Sequence, residues 1–221
     1  MSQELKENCI YQVSTLKIFS KGKYDGIITL DELKLHGDTG LGCFDGIDGE
    51  MIVLDNVVYQ ATDEGNINIM NDDEKTSLAM ITTFDETMSI DNISATDFDD
   101  LAGKLNKKIE NFNENNFYAA IIDCEISDVT VRIVTKQEKP YKELKKVIKN
   151  EGKHYTFENQ EGIFIGLYFP EYMEEINTTG WHFHFLSKEK TKGGHVVKFT
   201  NMTNAFCKIE EIHEFKMILP H

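Results

Sequence analysis

The 221-residue sequence predicts an α+β fold that is rich in strands and carries few helices. The last third of the chain consists almost entirely of short runs of aromatic and β-branched residues, which favour strands. Strong three- and four-residue apolar periodicity, typical of an amphipathic helix, occurs in a single stretch at 97–112. The sequence has no internal repeat and no regular strand–helix–strand alternation, so a parallel α/β sheet is not expected.

The N-terminal region predicts two short helices followed by strands. The helices are expected at 15–20 and 30–35, the second with Thr29 as its N-cap and Gly37 at its end. The glycine-rich run at 36–50 lacks the Gly-Lys-Ser/Thr ending of a phosphate loop and does not lead into a helix, so nucleotide binding is rejected. Its glycines fit turns between strands instead. We expect strands at 41–44, 50–54, 57–60 and 78–84, with Asp55-Asn56 as a tight turn.

The rest of the chain predicts two helices and a series of strands. The apolar side chains of 97–112 recur at helical spacing and indicate core packing, with Thr96 as the expected cap. A second helix at 141–150 is expected to begin at Pro140. Strands are expected at 117–126, 130–134, 163–169, 181–186, 195–200 and 206–219.

Composition restricts the partners that the protein can have. A net charge of −15 argues against nucleic acid and anionic membranes, because both are bound through basic surfaces. No apolar run approaches the 18 residues or so of a transmembrane helix, and the N-terminus lacks the features of a signal peptide. The cysteines lie singly, as expected for reduced thiols in a cytoplasmic protein: Cys9, Cys43, Cys124 and Cys207. An anionic substrate would therefore need a local positive group, such as a metal or an arginine.

A histidine-rich hairpin is the strongest functional signal. His182 and His184 alternate with Phe183 and Phe185, so on a strand both imidazoles would share one face. A lysine-rich connection and a double glycine then lead to a strand that begins at His195. Positions 184 and 195 are equidistant from the middle of that connection, so a regular hairpin would place these two histidines opposite each other. Three imidazoles converging in this way predict a metal site with open coordination positions, which suits catalysis.

The metal hypothesis has an ordinary alternative. A His-x-His pair on a strand is common without any metal, and only the third histidine at hairpin distance favours a ligand set. The spacing alone does not identify the metal, because imidazole binds zinc, iron, copper and nickel alike.

Arg132 is the only arginine in a chain with 22 lysines. A compositional preference for lysine explains the ratio without any function. Arginine is hard to replace, however, where a planar, bidentate and permanently charged group must hold a carboxylate. Residues 129–134 have the pattern of a strand, so Arg132 is expected to project from a sheet and is a candidate for that role.

These segments together resemble the bacterial alpha-acetolactate decarboxylase family over nearly the whole chain. The Arg…Gln-x-x-Pro-Tyr and His-x-His…Gly-Gly-His patterns are specific in combination. The resemblance is carried, in order, by Ile10-Tyr-Gln-Val-Ser-Thr15, the run from Gly37 to Glu50, Arg132-Ile-Val-Thr-Lys-Gln-Glu-Lys-Pro-Tyr141, Gly162-Ile-Phe-Ile-Gly166, the histidine hairpin and Leu219-Pro220.

The resemblance implies an activity and a set of site residues. The family converts 2-acetolactate to acetoin and CO2 with a metal, usually zinc, through a metal-stabilised enediolate. By resemblance, His182, His184 and His195 are the metal ligands, and Arg132 is the active-site arginine. Glu50 corresponds to the active-site glutamate, either as a proton donor or as a further metal ligand.

The resemblance also implies an architecture and an assembly. The family has an N-terminal mixed sheet packed on a smaller, barrel-like C-terminal part, and it forms homodimers through the sheet. We place these parts at residues 1–116 and 117–221, with the metal site in the second.

Two positions depart from the family pattern. The family typically has a threonine where this chain has Cys43, and a thiol is a weaker hydrogen-bond donor, so Cys43 is a weaker candidate for substrate binding. Family members also continue after the closing Leu-Pro with a segment whose glutamate approaches the metal, whereas this sequence ends at His221. Glu210, Glu211 and Glu214 are no obvious substitute, so the proton donor stays open.

Two other functions compete with the decarboxylase. A cupin-like metal oxygenase would place a carboxylate shortly after His-x-His, but Glu189 is expected at the tip of the turn, pointing away from the histidines. A binding or sensing module of the same fold, which has kept the metal pocket and lost turnover, is the non-enzymatic alternative.

Overall fold

A computed structural model describes residues 8–109 and 111–220, in which two packed β-sheets dominate. The first sheet runs in the order β13-β1-β7-β3-β4-β5-β6, with β2 paired to β7. β13 and β1 are parallel and the other pairs are antiparallel, so the sheet is mixed. Its strands are β1 (Cys9–Val13), β2 (Ile28–Thr29), β3 (Thr39–Phe44), β4 (Glu50–Leu54), β5 (Val57–Ala61), β6 (Ile67–Ile69), β7 (Lys75–Thr82) and β13 (Glu214–Ile218).

The second sheet is antiparallel and closes on itself. Its strands are β8 (Met88–Ala95), β9 (Phe117–Val134), β10 (Gly152–Phe169), β11 (Gly180–Ser187) and β12 (Gly193–Ile212). They run in the order β11-β10-β9-β12-β8, and β11 also pairs with β12. The strands from β9 to β12 therefore form a closed, barrel-like ring. The predicted strand-rich α+β class, with a mixed sheet packed on a barrel-like part, is confirmed.

Short helices cover the sheets at α1 (Leu16–Ser20), α2 (Leu30–Lys34), α3 (Phe98–Lys108) and α4 (Leu144–Glu151). Thr15 caps α1 by accepting a hydrogen bond from the backbone N–H of Ile18 at 3.1 Å. Thr29 precedes α2 as predicted, but its hydroxyl donates to Asp31 and does not cap the helix. None of the helices among the described residues is long and apolar enough to cross a membrane.

The predicted starts of α3 and α4 are wrong. Asp97, not Thr96, is the N-cap of α3, and its carboxylate accepts from the backbone N–H of Asp100 at 2.9 Å. Helix α4 begins at Leu144, four residues after Pro140. The backbone carbonyl of Lys142, two residues before the helix, accepts a hydrogen bond from the Tyr24 hydroxyl at 2.9 Å. This bond holds the segment that precedes α4 against the N-terminal part of the protein.

Several strands differ from their predicted extents. The strands predicted at 117–126 and 130–134 form one continuous strand, β9. The strand predicted at 206–219 is interrupted at His213, whose backbone N–H donates to the Asn8 side chain at 2.9 Å. Its first part belongs to β12 in the second sheet, and its last part is β13 in the first sheet. The Asp55-Asn56 turn is confirmed, with φ values of 51° and 64° joining β4 to β5.

The two sheets are joined by buried side chains from both. One cluster combines Leu41 and Met80 of the first sheet with Ala119 and Leu167 of the second. Another combines Ile52 with Ile165, and the burial of these apolar surfaces favours packing of the sheets. The division at 116/117 stays a prediction. β8 precedes it yet lies in the second sheet, whereas β13 follows it and lies in the first.

Candidate metal and substrate site

The histidine hairpin forms as the sequence predicts. β11 and β12 pair in antiparallel fashion, and His184 lies directly opposite His195. His182 lies two residues before His184 on the same face, whereas Phe183 and Phe185 are fully buried in the core. The ligand atoms that the three histidines offer lie within 4.8 Å of one another. The hairpin thus gathers three imidazoles in one place.

The double glycine allows β12 to begin directly after the turn. Gly194 pairs with Phe185 and has a φ of 141°, a conformation that L side chains rarely adopt. A Cβ at this position would also lie 3.0–3.1 Å from side-chain atoms of Val131 and Ile133 on β9. Glycine therefore lets β12 approach β9 closely just before His195.

The strand register adds Arg132 to the same group. On β9, Arg132 lies opposite His195, which in turn lies opposite His184. These three residues occupy one row across three strands, and residues in one row share a face of the sheet. The Arg132 Nε is buried and has no hydrogen-bond partner among the described residues. A buried donor without a partner indicates a place for a polar ligand.

Hydrogen bonds orient the imidazole rings. His184 Nδ1 lies 2.8 Å from the backbone carbonyl oxygen of Met51. Because a carbonyl oxygen can only accept, Nδ1 carries the proton, and the lone pair of the neutral ring is on Nε2. His182 Nε2 and His195 Nδ1 lie 2.9 Å apart, as a donor and acceptor pair.

Burial keeps the three histidines neutral. Burial, together with the positive charge of Arg132, lowers the pKa of His182 to about 4. Burial also holds the pKa values of His184 and His195 well below the usual histidine range, with His182 and Arg132 adding to the effect. Neutral imidazole is the form that binds metals, so these rings are ready to act as ligands at neutral pH.

Glu50 reaches the histidines from the first sheet. It begins β4, and its Oε2 lies 3.7 Å from His184 Nε2. The side chain is buried, and burial raises its pKa to about 7, although Arg132 acts in the opposite direction. A group with this pKa carries a proton in a large fraction of molecules at neutral pH, so Glu50 can donate or accept a proton here.

Cys43 is the neighbour of Glu50 in the same sheet. The two residues lie opposite each other in the β3–β4 pair. The Cys43 Sγ is 3.5 Å from the Ser77 hydroxyl oxygen, and burial raises the pKa of the thiol. Cys43 is therefore a neutral thiol in the wall of the site, where it can offer only a weak hydrogen bond.

A cavity of about 100 Å³ lies between the sheets, and Cys43, Glu50, Arg132 and the three histidines all line it. Its polar lining groups are Glu50, Arg132 and the three histidines, all carried by strands. The rest of the lining is mostly apolar and includes residues of α1 and α4. The remaining lining residues are Leu16, Phe19, Gly42, Cys43, Ile47, Leu78, Met80, Val134, Leu144, Ile148, Asn177 and Thr178.

The residues present fit a transition metal ion. Neutral imidazoles are common ligands of zinc, iron, copper and nickel. Three of them, with further positions facing a cavity, match the open arrangement of catalytic metal sites. Besides the Arg132 Nε, the His182 Nδ1 is buried without a hydrogen-bond partner among the described residues. Two such atoms indicate that a group outside the chain completes the site.

Glu189 does not join the site. It is exposed in the turn between β11 and β12 and is not among the residues that line the cavity. Among the described residues, the carboxylate within ion-pair distance of these histidines is that of Glu50, which comes from a different sheet and from much earlier in the chain. A cupin-like ligand set, with its carboxylate on the histidine hairpin, therefore gains no support.

Sequence reasoning missed several parts of the site, among them a backbone acceptor and an apolar helix face. The Met51 carbonyl that orients His184 is a backbone atom, and no side-chain pattern could reveal it. The apolar wall from α4 was also missed, although Leu144 and Ile148 stand four residues apart in the predicted helix. That spacing places both on one helix face and could have identified them as a pair.

Comparisons with known sequences and structures all point to one family. The sequence model of the family described as alpha-acetolactate decarboxylase matches residues 10–221. The alpha-acetolactate decarboxylase of Brevibacillus brevis is 36% identical over 215 residues, covering 97% of this chain and 74% of that protein. The enzyme of the same name from Methylococcus capsulatus is 35% identical, with 96% and 80% covered.

A solved structure shows the same fold. The crystal structure of alpha-acetolactate decarboxylase from Bacillus subtilis strain 168 superposes with a TM-score of 0.90 at 29% sequence identity. The superposition covers 96% of this chain and 89% of that one. The similarity extends over both sheets and therefore includes the strands that carry the histidines, Arg132 and Glu50.

Proposed function

Because the chain belongs to the alpha-acetolactate decarboxylase family and is a carboxy-lyase, we propose that it converts 2-acetolactate to acetoin and CO2 with a bound divalent transition metal, most simply zinc. One observation carries the proposal. Three neutral imidazoles converge in a buried cavity beside an arginine whose Nε is buried without a partner among the described residues. This set suits an anionic substrate that also carries a hydroxyl and a ketone.

Arg132 is the group that would bind the substrate carboxylate. Its guanidinium is the permanent positive charge in the cavity lining, and it can form two parallel hydrogen bonds to a carboxylate. The strand row that holds it next to His195 fixes its position relative to the metal ligands. The carboxylate would thus be held beside the substrate oxygens.

The histidines would hold the metal. His182, His184 and His195 are the proposed ligands, and the bound ion would act as a Lewis acid toward the negative charge that develops on the substrate oxygens. The Met51 carbonyl keeps the Nε2 lone pair of His184 directed toward the cavity. Burial keeps all three rings neutral, which is the form that binds a metal.

Glu50 is the proposed proton donor. When the bond to CO2 breaks, its electron pair stays on the substrate and is shared with the ketone as an enediolate. That carbon must then receive a proton to give acetoin. The Glu50 carboxyl has a pKa raised to about 7, so it can hold a proton at neutral pH and release it to the substrate.

Acetoin formation from racemic 2-acetolactate tests the proposal. We expect purified protein to form acetoin, to lose this activity after treatment with a chelator, and to regain it when zinc is added. His195→Ala should lose both bound metal and acetoin formation, since it removes one of the ligands. His213→Ala is the matched control, because His213 is an exposed histidine between β12 and β13 that does not line the cavity, and it should keep both.

The competing functions predict different results in the same assay. A metal-loaded protein that forms no acetoin would support the binding module, and substrate-dependent oxygen consumption would support an oxygenase. Full acetoin formation by the metal-free His195→Ala variant would contradict the proposed metal role. The homodimer and the cytoplasmic location stay predictions.

A further inference from the structure

We infer that Leu144 and Ile148 of α4 limit the size of the alkyl group on the substrate carbon that loses CO2. This inference rests on the proposed function and identifies residues that set its substrate range. The substrate class is 2-alkyl-2-hydroxy-3-oxo acids, of which 2-acetolactate is the 2-methyl member.

The cavity has two chemically different sets of lining groups. The charged and imidazole groups all come from strands of the two sheets, on β4, β9, β11 and β12. The helices contribute apolar side chains, from Leu16 and Phe19 of α1 and from Leu144 and Ile148 of α4. A 2-alkyl-2-hydroxy-3-oxo acid is divided in the same way, with its oxygens on one side and its alkyl groups on the other. Oxygens bound to the polar strand groups leave the alkyl groups facing the apolar lining, to which α4 contributes Leu144 and Ile148.

Leu144 and Ile148 are placed to act as a boundary. They are four residues apart in α4, so they project from the same helix face, one turn apart. Both line the cavity and both are half-buried, which puts them between the substrate and solvent. Val147 of the same helix is fully buried against Phe19 and Val134, and it anchors the helix.

Polar contacts hold helix α4 at both ends, so the apolar wall that it contributes to the cavity is fixed in position. At the N-terminal end, the Lys142 carbonyl accepts a hydrogen bond from the Tyr24 hydroxyl at 2.9 Å. At the C-terminal end, the Glu151 carboxylate accepts from the Gln137 amide at 2.7 Å and pairs with Lys142 at 3.0 Å. A fixed apolar wall discriminates by size, because a larger alkyl group has no space to enter.

The α4 pair differs from the fully buried apolar lining residues. Met80 and Val134 are fully buried strand residues inside the core clusters, whereas Leu144 and Ile148 are partly buried and pack against a cluster from its edge, as Leu78 does. Truncating Met80 or Val134 would change the packing of the sheets as well as the cavity. Shortening Leu144 or Ile148 enlarges the cavity at its half-exposed boundary, with less effect on the core.

The test compares two substrates, 2-acetolactate and its homologue with an ethyl group in place of the 2-methyl group. We expect Ile148→Ala and Leu144→Ala to raise the ratio of kcat/KM for the ethyl substrate to that for the methyl substrate by about 10-fold, the scale of one methylene in an apolar pocket. Ile148→Val, the mildest truncation, should shift the ratio in the same direction by less. Lys145→Ala is the matched control, since Lys145 is an exposed residue of α4 and should leave the ratio unchanged.

The possible outcomes separate this inference from the proposed function. Absence of product from the wild-type, zinc-loaded protein with both substrates would overturn both. A wild-type protein that forms acetoin, with a ratio that none of the three truncations changes, would overturn the α4 inference alone. An equal loss on both substrates would do the same, because it would indicate general damage to the site. If an alanine variant fails to fold, as judged by thermal unfolding, Ile148→Val decides.

Discussion

Glu50 and Glu210 are two buried carboxylic acids at the contact between the two sheets, and they have different surroundings. Burial raises the pKa of each to about 7. Glu50 faces His184 at 3.7 Å and lines the cavity together with Arg132. Glu210, on β12, accepts hydrogen bonds from the Asn8 amide at 3.2 Å and the Thr82 hydroxyl at 3.4 Å.

The comparison shows that a raised pKa does not by itself identify a functional group. Perturbed pKa values occur at active sites and also at structural contacts. Glu50 lies beside a cation and an open cavity, so its proton can be exchanged with a ligand. Glu210 is held by neutral donors and connects β12 to β7 and to the segment before β1. We therefore propose a role in proton transfer for Glu50 and a structural role for Glu210.

Exchanging each carboxyl for an amide should separate these two roles most strongly. Glu50→Gln removes the transferable proton while keeping the shape of the side chain. We expect it to lower kcat for acetoin formation by about 10²–10⁴-fold, the usual contribution of a positioned acid or base. Glu210→Gln is the matched control and should change kcat less than about threefold.

Metal content should be measured for both variants, because a loss of metal would point to Glu50 as a ligand. Similar kcat values for Glu50→Gln and the wild type would remove the distinction between the two carboxyls. A large loss of kcat in Glu210→Gln, with folding intact, would also remove this distinction, because it would give Glu210 a role in turnover.

Arg132 is the neighbour that most distinguishes the surroundings of Glu50 from those of Glu210. Arg132→Lys keeps the positive charge but replaces the planar fork with a single ammonium group. We expect the variant to retain its metal and to lose about 10²–10³-fold in kcat/KM, the range seen when one stabilising donor is removed from an active site. Kinetics at fixed zinc loading, together with metal analysis, would measure this. Normal turnover in Arg132→Lys would exclude the proposed carboxylate binding.

The part of the site that depends on the register of the β11–β12 hairpin was predictable from the sequence. Alternation along β11 and symmetry about its turn were enough to place His184 opposite His195, as the structure confirms. The position of Arg132 next to His195 was not predictable in this way, because β9 and β12 are far apart in the chain. The approach of Glu50 to His184 depends on how two sheets pack, and only the family resemblance identified Glu50 in advance.

The fold class was predictable because period-two and period-3.6 patterns are local. Two of the errors occurred where a distant residue decided the local structure. Helix α4 begins after Pro140 because Tyr24 binds the Lys142 carbonyl. The last predicted strand divides at His213, where Asn8 accepts its backbone N–H. Both partners lie more than a hundred residues away, so no local pattern contains them.

The smallest expected effect concerns stability, and it tests the structural role of Glu210. A carboxyl whose pKa rises from its ordinary 4.5 to about 7 on folding stays protonated while the unfolded chain ionises. The pH-dependent part of the cost of burying Glu210 is therefore absent below about pH 4.5, grows as the pH rises, and reaches its full value, up to about 3 kcal/mol, above about pH 7. Glu210→Gln cannot ionise, so we expect it to match the wild type near pH 4.5 and to exceed it in free energy of unfolding at pH 8.

Urea unfolding across this range, at equal metal loading, measures the difference. Glu214→Gln, the same change at an exposed position, should follow the wild-type profile. A constant difference between Glu210→Gln and the wild type at all pH values would show that Glu210 does not remain protonated between the sheets.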